Sequence, residues 1–500
     1  MSFLIIDVGT SSMRGFLFKR NGEKIAGCQE KYEPVKYSDG RIEQSPETWT
    51  ESLVRICRKI SSESGKHKNS INAVVVTAQR SSVIPVDYTG KPLMDAIMWQ
   101  DSRNTEICKE LETKNDLVFR KSGAVINTVF SGSRMMWIER NCPELSEKIY
   151  KYLNVPEYLI HIMTGKYGTD VTYGSRTHLM NIREREWDTE LLSVFGIRKE
   201  QLCKLHEAGD VLGTVTLSFS AETGIPEGIP VISAGGDQQC AAIGLGAVHE
   251  GEISLVLGTG GFLMAPSEQV PENLNKHMIC NCSSVKGQYI TEANVLTCCS
   301  AFDWYCNNFY NRETGKTDYE YINQELEGLD GYVSGAIVLP YFQGRSTPKW
   351  NPMARAVFGG ITLNTDRREL LKALLEAIFM EIQNNICSFN AYSNITKAYI
   401  SGGLSKSDVM NQLQADIYGI DLFHMEDSEA SATGALMVAL VSLGEESAYD
   451  TAFEHICGSR NVDCYHPRMK LHKEYEQKRK RMNYMYQSLY DDQEKCRGEI

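Results

Sequence analysis

Three glycine-containing turns stand directly after short apolar segments, and their residue types suit phosphate binding. They are Gly9-Thr10-Ser11-Ser12, Gly258-Thr259-Gly260-Gly261 and Gly402-Gly403. Glycine lets backbone N–H groups face a ligand without an intervening Cβ, and Thr and Ser side chains add hydroxyl donors. A single turn of this kind is common after any strand, whereas three in one chain predict a site for phosphate groups.

None of these turns fits a common nucleotide motif. Gly258-Thr259-Gly260 is followed by Gly261-Phe262-Leu263, which breaks the GxGxxG fingerprint of dinucleotide binding, and GxxxxGK[ST] does not occur. Phosphate binding is therefore predicted without a Rossmann or P-loop signature. A nicotinamide-dependent polyol oxidoreductase would need that fingerprint with an acidic residue about 20 residues further on, so this class is a rival that the sequence disfavours.

Two carboxylates stand beside these turns. Asp7 lies just before the first turn, where it could face a Mg²⁺ ion next to bound phosphates or simply cap its own turn. Asp237 follows two glycines and precedes Gln238, a position from which it could accept a proton from a substrate hydroxyl. Arg14, on the predicted second strand, either neutralises a phosphate or is an ordinary surface arginine.

Two polar clusters could hold a polyol. They are Gln79-Arg80-Ser81-Ser82 and Trp99-Gln100-Asp101-Ser102-Arg103. A Trp ring covers the C–H faces of a polyol while charged groups bind its hydroxyls. The alternative interpretation is a buried Trp beside a surface salt bridge.

The elements that must position these residues alternate between strand-like and helix-like segments, which favours the α/β class. The chain is predicted to open as a β-hairpin that turns at Gly9 to Ser12, with a further hairpin signal at Asn21-Gly22. A helix is predicted to start at Ser45-Pro46-Glu47, with an apolar stripe formed by Trp49, Leu53, Ile56 and Ile60. Strands are predicted at Ala73 to Thr77, which is buried, and at Lys397 to Ile400, and a further helix at Ser407 to Tyr418. The tail from Leu471 to Tyr490 is predicted to be a helix with one packing face, formed by Tyr475, Met482, Tyr486 and Leu489.

A strand–turn–strand unit near residue 7 recurs near residue 257. Ile253 to Leu257 is an apolar strand that enters a Gly/Thr turn and leaves it at Phe262-Leu263-Met264, and a separate short strand runs from Pro230 to Ser233. The recurrence predicts two related halves, with a boundary near residues 244 to 250.

Composition limits the partners and the compartment. The 500 residues include 52 Lys plus Arg and 64 Asp plus Glu, so the net charge is −12 and neither nucleic acid nor an anionic membrane is the expected partner. The 15 cysteines are scattered without a CxxC pair, so we expect reduced thiols, and no role is assigned to the pairs Cys280/Cys282 and Cys298/Cys299. Asp7 interrupts the first apolar stretch and no apolar run reaches about 18 residues, so we expect neither a signal peptide nor a membrane span, and a cytoplasmic protein.

Together the motifs resemble the FGGY family of carbohydrate kinases, over essentially the whole chain and in the right order. The similar segments are Asp7 to Ser12 with Arg14 (first phosphate motif), Gly235-Gly236-Asp237-Gln238 (catalytic motif), Leu257-Gly258-Thr259-Gly260 (second phosphate motif), Ser401-Gly402-Gly403 through Gln414-Ala415-Asp416 (adenosine motif), and Phe358-Gly359-Gly360-Ile361 with Trp350 to Arg355 upstream (the naming signature).

The resemblance implies two actin-like, ribonuclease H-like α/β domains with a central cleft, spanning residues 1–246 and 247–500. It implies ATP and Mg²⁺ as cofactors, Asp237 as general base, and Asp7 as the Mg²⁺ residue, directly or through water. The implied ATP-binding residues are Thr10, Ser11, Ser12, Arg14, Gly258, Thr259, Gly402, Gly403 and Asp408. The implied substrate-binding residues are Arg80, Trp99, Asp237 and Gln238.

The chain departs from glycerol kinases at four positions. Ser81 replaces an acidic residue and Val129 replaces a Tyr, and both changes remove hydrogen-bonding partners for glycerol. Cys299 and Asp303 stand near the positions where glycerol kinases have a Gly and a Gln on the nucleotide side. An unpaired polar group costs about 1–3 kcal/mol, so a substrate other than glycerol is expected.

The sequence therefore predicts an ATP-dependent kinase that phosphorylates a hydroxyl of a small sugar or polyol. A xylulose-like ketose, a signalling sugar of the autoinducer-2 kind and an acyclic polyol all stay open, as does a homodimer. The alternative is an actin-like ATPase or a nucleotide-regulated sugar-binding protein without phosphotransfer. The polar clusters at Arg80 and Trp99 disfavour a pure ATPase, which needs no second small-molecule pocket.

Overall fold

A computed structural model describes residues 1–65, 71–310, 318–425, 429–458 and 460–491. The strands of the first half are β1 (Ser2–Val8), β2 (Ser12–Lys19), β3 (Lys24–Lys31), β4 (Val35–Lys36), β5 (Ile42–Gln44), β6 (Ile71–Ala78), β7 (Ile84–Val86), β8 (Ala96–Ile97), β9 (Lys151–Leu153), β10 (Gly168–Asp170), β11 (Met180–Asn181), β12 (Glu186–Trp187), β13 (Lys204–His206), β14 (Val211–Thr214) and β15 (Pro230–Gly236). Its helices are α1 (Pro46–Glu63), α2 (Thr105–Glu110), α3 (Asn115–Ser122), α4 (Ser131–Asn141), α5 (Pro143–Ser146), α6 (Val155–Thr164), α7 (Val171–Gly174), α8 (Thr189–Phe195), α9 (Leu217–Thr223) and α10 (Asp237–Leu245).

The main sheet of the first half has six strands in the order β14-β15-β6-β1-β2-β3. Strands β1, β2 and β3 form an antiparallel meander, which confirms the predicted opening hairpin, and β6 and β15 run parallel to β1. The predicted strand from Ala73 to Thr77 lies within β6, at the centre of the sheet. Parallel central strands are covered on both faces, which explains why β1 and β6 read as continuous apolar runs.

The second half contains the remaining elements. Its strands are β16 (Glu252–Leu257), β17 (Gly261–Ser267), β18 (Ile279–Cys282), β19 (Tyr289–Val295), β20 (Ile337–Leu339), β21 (Val357–Gly359), β22 (Lys397–Gly402), β23 (Asp421–Met425) and β24 (Val462–Tyr465). Its helices are α11 (Cys299–Phe309), α12 (Tyr319–Glu327), α13 (Arg367–Phe389), α14 (Asp408–Tyr418), α15 (Ala430–Ser442), α16 (Tyr449–Cys457) and α17 (Met469–Tyr486).

The main sheet of the second half repeats the topology of the first. Its order is β18-β19-β17-β16-β22-β23-β24, and an antiparallel meander of β16, β17 and β19 is again followed by parallel strands, here β22 and β23, and an antiparallel edge strand. The extra strand is β18. The mixed α/β class and the two related actin-like halves predicted from the sequence are thus both observed. The boundary at residues 246 and 247 stays a prediction, and it falls in the connection between α10 and β16.

Two helices bury the apolar side chains that the sequence predicts to form packing faces. Ser45 is the N-cap residue of α1, although its side chain makes no capping hydrogen bond, and Trp49, Leu53, Ile56 and Ile60 are all buried. In the tail, Tyr475, Met482 and Tyr486 are buried on α17. Leu489 lies beyond the end of that helix and is 36% exposed, so its predicted place in the stripe is wrong.

The two halves meet where α10 crosses α15. A Cβ added to Gly244 would collide with the carbonyl of Ala430, and one added to Gly434 would collide with the carbonyl of Cys240. These two glycines occupy matching positions, so the helices approach symmetrically and only a hydrogen side chain fits.

Two observations bear on the environment of the chain. None of the described helices combines the length and the apolar character that a membrane crossing needs. Within the part of the chain that the structure describes, the cysteines are free thiols, as expected from their spacing.

Candidate active site

The first predicted phosphate turn closes between β1 and β2. The N–H of Gly9 donates to the carbonyl of Ser12 at 2.9 Å. Thr10 Oγ1 accepts the indole N–H of Trp99 at 3.0 Å, and Ser11 is exposed. The turn is thus fixed by its own backbone and by a residue of the predicted substrate cluster, so residues predicted to bind phosphate and substrate lie side by side.

Asp7 is a buried carboxylate at the end of β1. Its Oδ2 accepts Nη2 of Arg14 at 2.5 Å across the β1–β2 ladder, and Oγ of Ser431 at 2.7 Å. Ser431 belongs to α15, so the second half supports this residue of the first. Arg14, predicted to face phosphate, is the partner of Asp7. A carboxylate beside a predicted phosphate turn is a suitable ligand for Mg²⁺, because Mg²⁺ binds one or two carboxylates together with water and phosphate oxygens.

The second predicted phosphate turn also closes with a backbone hydrogen bond, but it is one residue shorter than the first. The N–H of Gly258 donates to the carbonyl of Gly260 at 2.9 Å, between β16 and β17. The first turn of α11 supports it, because the N–H of Cys299 donates to the carbonyl of Gly258 at 2.9 Å and that of Cys298 to the carbonyl of Thr259 at 2.8 Å. Thr259 itself is exposed.

Gly402 and Gly403 lie against this second turn. Gly402 has φ +103°, and a Cβ there would collide with the carbonyl of Leu257, the residue before Gly258. A Cβ on Gly403 would lie 2.8 Å from Sγ of Cys299, whose thiol donates to the carbonyl of Leu257 at 3.1 Å. The ends of β16 and β22 and the start of α11 therefore meet in one place, which brings the predicted nucleotide residues together.

Asp237 is the first residue of α10 and follows β15 directly. Its Oδ1 accepts the N–H of Gln238 at 2.7 Å. Burial, aided by the nearby carboxylate of Asp7 and opposed by the positive charge of Arg80, raises the pKa of its carboxyl to about 6. A carboxyl with this pKa is mostly ionised at neutral pH and is basic enough to accept a proton from a hydroxyl.

Arg80 follows β6 and forms a two-pronged ion pair across the two halves. Its Nη1 donates to Oε1 of Glu292 at 2.5 Å and its Nη2 to Oε2 at 3.2 Å. Glu292 lies on β19 and also accepts Nη1 of Arg176 at 3.4 Å and Nδ2 of Asn281 at 2.8 Å. The two cationic groups of the first half therefore share one carboxylate of the second half, next to Asp237.

Arg134, on α4, builds the wall around Trp99 from backbone carbonyls. Its side chain donates to the carbonyls of Ser81 (3.2 Å), Val129 (2.8 Å) and Asp101 (3.3 Å), and also to that of Trp99. This fully buried guanidinium ties together the loops that carry Arg80, Trp99 and Val129. Ser81 adopts φ +76°, a strained conformation for a residue with a side chain, and such strain is concentrated at functional sites.

The second polar cluster divides between two roles. Trp99 reaches the first phosphate turn, as described above. Asp101 is 1% exposed and is occupied by Arg103 (Nε at 2.9 Å and Nη2 at 2.8 Å) and by the N–H of Ile42 at 2.6 Å. For this pair the alternative interpretation holds, except that the salt bridge is buried rather than on the surface.

Two further predicted residues are placed as follows. Gln238 is the half-buried second residue of α10, next to the proposed base. Asp408, at the start of α14, is exposed and its Oδ1 accepts the hydroxyl of Tyr465 at 2.7 Å. The contact of Asp408 is thus with β24, the edge strand, rather than with Gly402 or Gly403.

Sequence reasoning missed four residues of this site: Glu292, Arg176, Ser431 and Arg134. The signal for Glu292 was present, because it is the one charged residue in the strand Tyr289–Val295. Arg134 has backbone carbonyls as its partners, and these leave no trace in the residue types. Arg176 and Ser431 carry no local signal, since their partners lie more than 100 residues away in the chain.

Comparison with known proteins gives two family matches. The domain described as "FGGY family of carbohydrate kinases, N-terminal domain" matches residues 2–244, and the corresponding C-terminal domain matches residues 253–443. Among curated proteins, the glycerol kinase of Chromobacterium violaceum is 29% identical over 465 residues, covering 89% of this chain and 90% of that protein. The glycerol kinase of Thermococcus gammatolerans is 29% identical over 443 residues, covering 87% and 88%.

Solved structures agree on the fold. The Plasmodium falciparum glycerol kinase with ADP superimposes with a TM-score of 0.87 at 26% identity, covering 98% of both chains. A xylulose kinase from Rhodospirillum rubrum gives a TM-score of 0.91 at 20% identity, covering 98% of this chain and 99% of that one, and at this identity it supports the fold alone.

Proposed function

Because the chain belongs to the FGGY family of carbohydrate kinases, and is thus an ATP-dependent kinase of a sugar or polyol, we propose that Asp237 is its general base. The acceptor hydroxyl is bound beside it by Arg80, Trp99 and Gln238. The nucleotide lies on the side of Gly258, Thr259, Gly402 and Gly403.

One observation carries this assignment: the environment of Asp237. Its carboxyl is the first group of α10, within the electrostatic field of Arg80 and Asp7, and burial raises its pKa to about 6. A general base works best when its pKa lies near the working pH. Asp7 and Glu292, the neighbouring carboxylates, are already bound by Arg14 and Arg80 respectively.

The proposed reaction is an in-line phosphoryl transfer. Asp237 accepts the proton of the acceptor hydroxyl while the hydroxyl oxygen forms a bond to the γ-phosphorus and the bond from that phosphorus to the bridging oxygen of ADP breaks. Arg80 and Trp99 orient the acceptor, and the two glycine turns offer backbone N–H groups to phosphate oxygens. Most of the protein's contribution to such a reaction is positioning and charge stabilisation.

The residues present also fit Mg²⁺, and Asp7 is the one that would hold it, directly or through water. When bound, Mg²⁺ neutralises charge on the phosphate oxygens. Ser431 and Arg14 fix the orientation of the Asp7 carboxylate through Oδ2.

The acceptor is proposed to be a sugar or polyol other than glycerol. Ser81 is buried with a hydroxyl that has no hydrogen-bond partner among the described residues, and Val129 brings only an apolar side chain to the pocket wall. Glycerol has three carbons, so its few hydroxyls are taken up by Arg80 and Asp237. A ketose or a longer acyclic polyol has a further hydroxyl that can pair with Ser81. Such a match avoids the cost of an unpaired buried polar group, about 1–3 kcal/mol.

We also propose a cytoplasmic location, which the free thiols among the described cysteines support. A homodimer stays a prediction, which light scattering on the purified protein checks.

The decisive test is acceptor-dependent release of ADP, measured against pentuloses, hexuloses, linear polyols and glycerol. The proposal expects release that depends on one class of acceptor, with glycerol a poor substrate, and with Asp237→Asn as the blank. Release at the same rate without any sugar would instead support an actin-like ATPase. A phosphorylated product identified by mass spectrometry completes the result.

A further inference from the structure

Glu292 joins the two halves at the substrate side of the site. It lies on β19 of the second half, and its carboxylate accepts Arg80 twice, at 2.5 and 3.2 Å, and Arg176 once, at 3.4 Å, both from the first half. Asn281 on the neighbouring strand β18 donates to Oε1 at 2.8 Å. Four hydrogen bonds therefore fix this carboxylate, and its side chain is only 15% exposed.

The two arginines depend on this carboxylate. Their side chains are 8% and 9% exposed, and the guanidinium carbon of Arg176 also lies over the face of Phe130, 4.5 Å from the ring centroid. Nε of Arg176 is buried without a hydrogen-bond partner in the part of the chain that the structure describes. Two buried guanidinium groups close together repel each other unless an anion lies between them, and Glu292 is that anion.

The charges of the site then balance. Arg80 and Arg176 are offset by Glu292 and ionised Asp237, and Arg14 is offset by Asp7. The residue directly after Arg80 is the uncharged Ser81, so no carboxylate from that position offsets the arginines. Glu292 is accordingly the group that keeps the acceptor side from being cationic.

We propose that Glu292 is a positioning residue that fixes Arg80 and Arg176 and thereby makes the site select an uncharged sugar or polyol over a sugar acid. This inference rests on the proposed function, since it concerns the acceptor of the same reaction. It assigns specificity to a residue that approaches the pocket from the opposite half of the protein. Because Glu292 acts through the two arginines, its loss changes recognition of the acceptor and leaves the nucleotide side unchanged.

The test is Glu292→Gln, which keeps the shape of the side chain and removes its charge. The KM of the neutral acceptor should rise at least about 10-fold, because Arg80 loses its charged partner, while the KM of ATP stays within about 2-fold. At the same time kcat/KM for the matching sugar acid, relative to the neutral sugar, should rise about 10-fold, because the two guanidinium groups, then offset by Asp237 alone, carry a net positive charge that attracts a carboxylate. Glu292→Asp, which keeps the charge, should restore the preference for the neutral acceptor.

The control is Glu381→Gln. Glu381 also forms a buried two-pronged ion pair, with Nε of Arg345 at 2.6 Å and Nη2 at 3.2 Å, but this pair lies within the second half alone. This substitution should lower the Tm without changing the ratio of sugar acid to neutral sugar. If the Glu292 and Glu381 variants behave alike, or if Glu292→Gln leaves the ratio unchanged, the proposal is wrong.

A second variant and a separate readout of the wild-type activity keep the test decisive. If Glu292→Gln does not fold, Arg176→Gln tests the same cluster, and the proposal expects it to weaken binding of the neutral acceptor at least about 3-fold, because Arg176 helps to fix Glu292. An unchanged acceptor KM in that variant would overturn it. Failure of the proposed function is recognised separately, because the wild-type protein would then release ADP independently of any acceptor.

Discussion

The two halves share one strand arrangement but carry different chemistry at matching positions. On β1 and β2 of the first half, Asp7 pairs with Arg14 just before and after the turn. On β16 and β17 of the second half, the corresponding pair is Val256 and Phe262. Each turn closes with a backbone hydrogen bond of 2.9 Å, from Gly9 to Ser12 in the first half and from Gly258 to Gly260 in the second. The frame is common to both halves, and at these matching positions the first half alone has charged groups.

The parallel strand beside each meander, β6 in the first half and β22 in the second, shows the same difference. In the first half β6 leads into Arg80, a long charged side chain that reaches Glu292. In the second half β22 ends at Gly402 and is followed by Gly403, and these glycines, which have no side chain, pack against Leu257 and Cys299. The comparison supports the proposal that the first half binds a substrate through side chains. It also supports the proposal that the second half binds the phosphates and sugar of a nucleotide through its backbone.

The largest expected effect comes from making the first half resemble the second. Asp7→Asn removes the charge that supports the phosphate side, and kcat should fall by on the order of 100-fold, as happens when a preorganised electrostatic group is lost. The optimal Mg²⁺ concentration should rise in parallel. Steady-state kinetics over a Mg²⁺ series measures both.

The matching control is Val256→Ala, at the corresponding position of the other half. It removes no charge, so kcat should stay within about 3-fold of wild type while stability falls modestly. Equal losses of kcat in both variants would show that the two halves do not differ in the way described.

Glycine should be needed at the nucleotide side for steric reasons. Gly402→Ala places a methyl group against the carbonyl of Leu257 at φ +103°, so we expect the KM of ATP to rise at least about 10-fold through displacement of the turn. Gly444→Ala is the control, because Gly444 has φ +72° and a Cβ there would meet no described atom within 4 Å. That variant should lose about 1 kcal/mol of stability and no affinity for ATP. If both variants bind ATP equally well, Gly402 is not part of the nucleotide site.

The pH profile should report on Asp237, a group that belongs to the first half. Burial raises the pKa of its carboxyl to about 6, and only the ionised form accepts a proton. Lowering the pH through 6 therefore protonates the base, and kcat/KM for the acceptor should fall about 10-fold between pH 7 and 5. A flat profile over this range would contradict the assignment, provided circular dichroism shows that the fold is retained at the acidic end.

The smallest effects should separate the two turns. Thr259→Ala should raise the KM of ATP by about 3-fold, consistent with the loss of one hydrogen bond, and leave the KM of the acceptor unchanged. Thr10→Ala should raise the KM of the acceptor as well, because Thr10 accepts the indole N–H of Trp99. Identical kinetic patterns for the two variants would contradict the division between the halves.

Much of this arrangement could be predicted from the sequence because it depends on local signals. Apolar runs followed by Gly-Thr turns indicate β1 and β16, and the recurrence of that unit predicted the two related halves. Gly235-Gly236 before Asp237 marked a strand end with a carboxylate, which the structure places at the start of α10. In each case the signal and the feature lie within about ten residues of each other, so local backbone preferences were sufficient.

The contacts between halves could not be predicted in this way. Glu292 reaches Arg80 over a separation of 212 residues, and Ser431 reaches Asp7 over 424. Such pairs depend on how α10 and α15 pack, which a single sequence does not specify. Asp101 shows the opposite case. Its place in the sequence cluster of Trp99 suggested that it binds substrate, whereas in the structure its buried carboxylate pairs with Arg103.

The central claim is that Asp237 takes the proton of the acceptor, and the most direct measurement is the rate of phosphoryl transfer in Asp237→Asn under single-turnover conditions. The account predicts a protein with the Tm and ATP affinity of wild type and a transfer rate at least about 100-fold lower. A variant that transfers phosphate within about 3-fold of the wild-type rate would contradict the account, because removing a general base cannot be that mild.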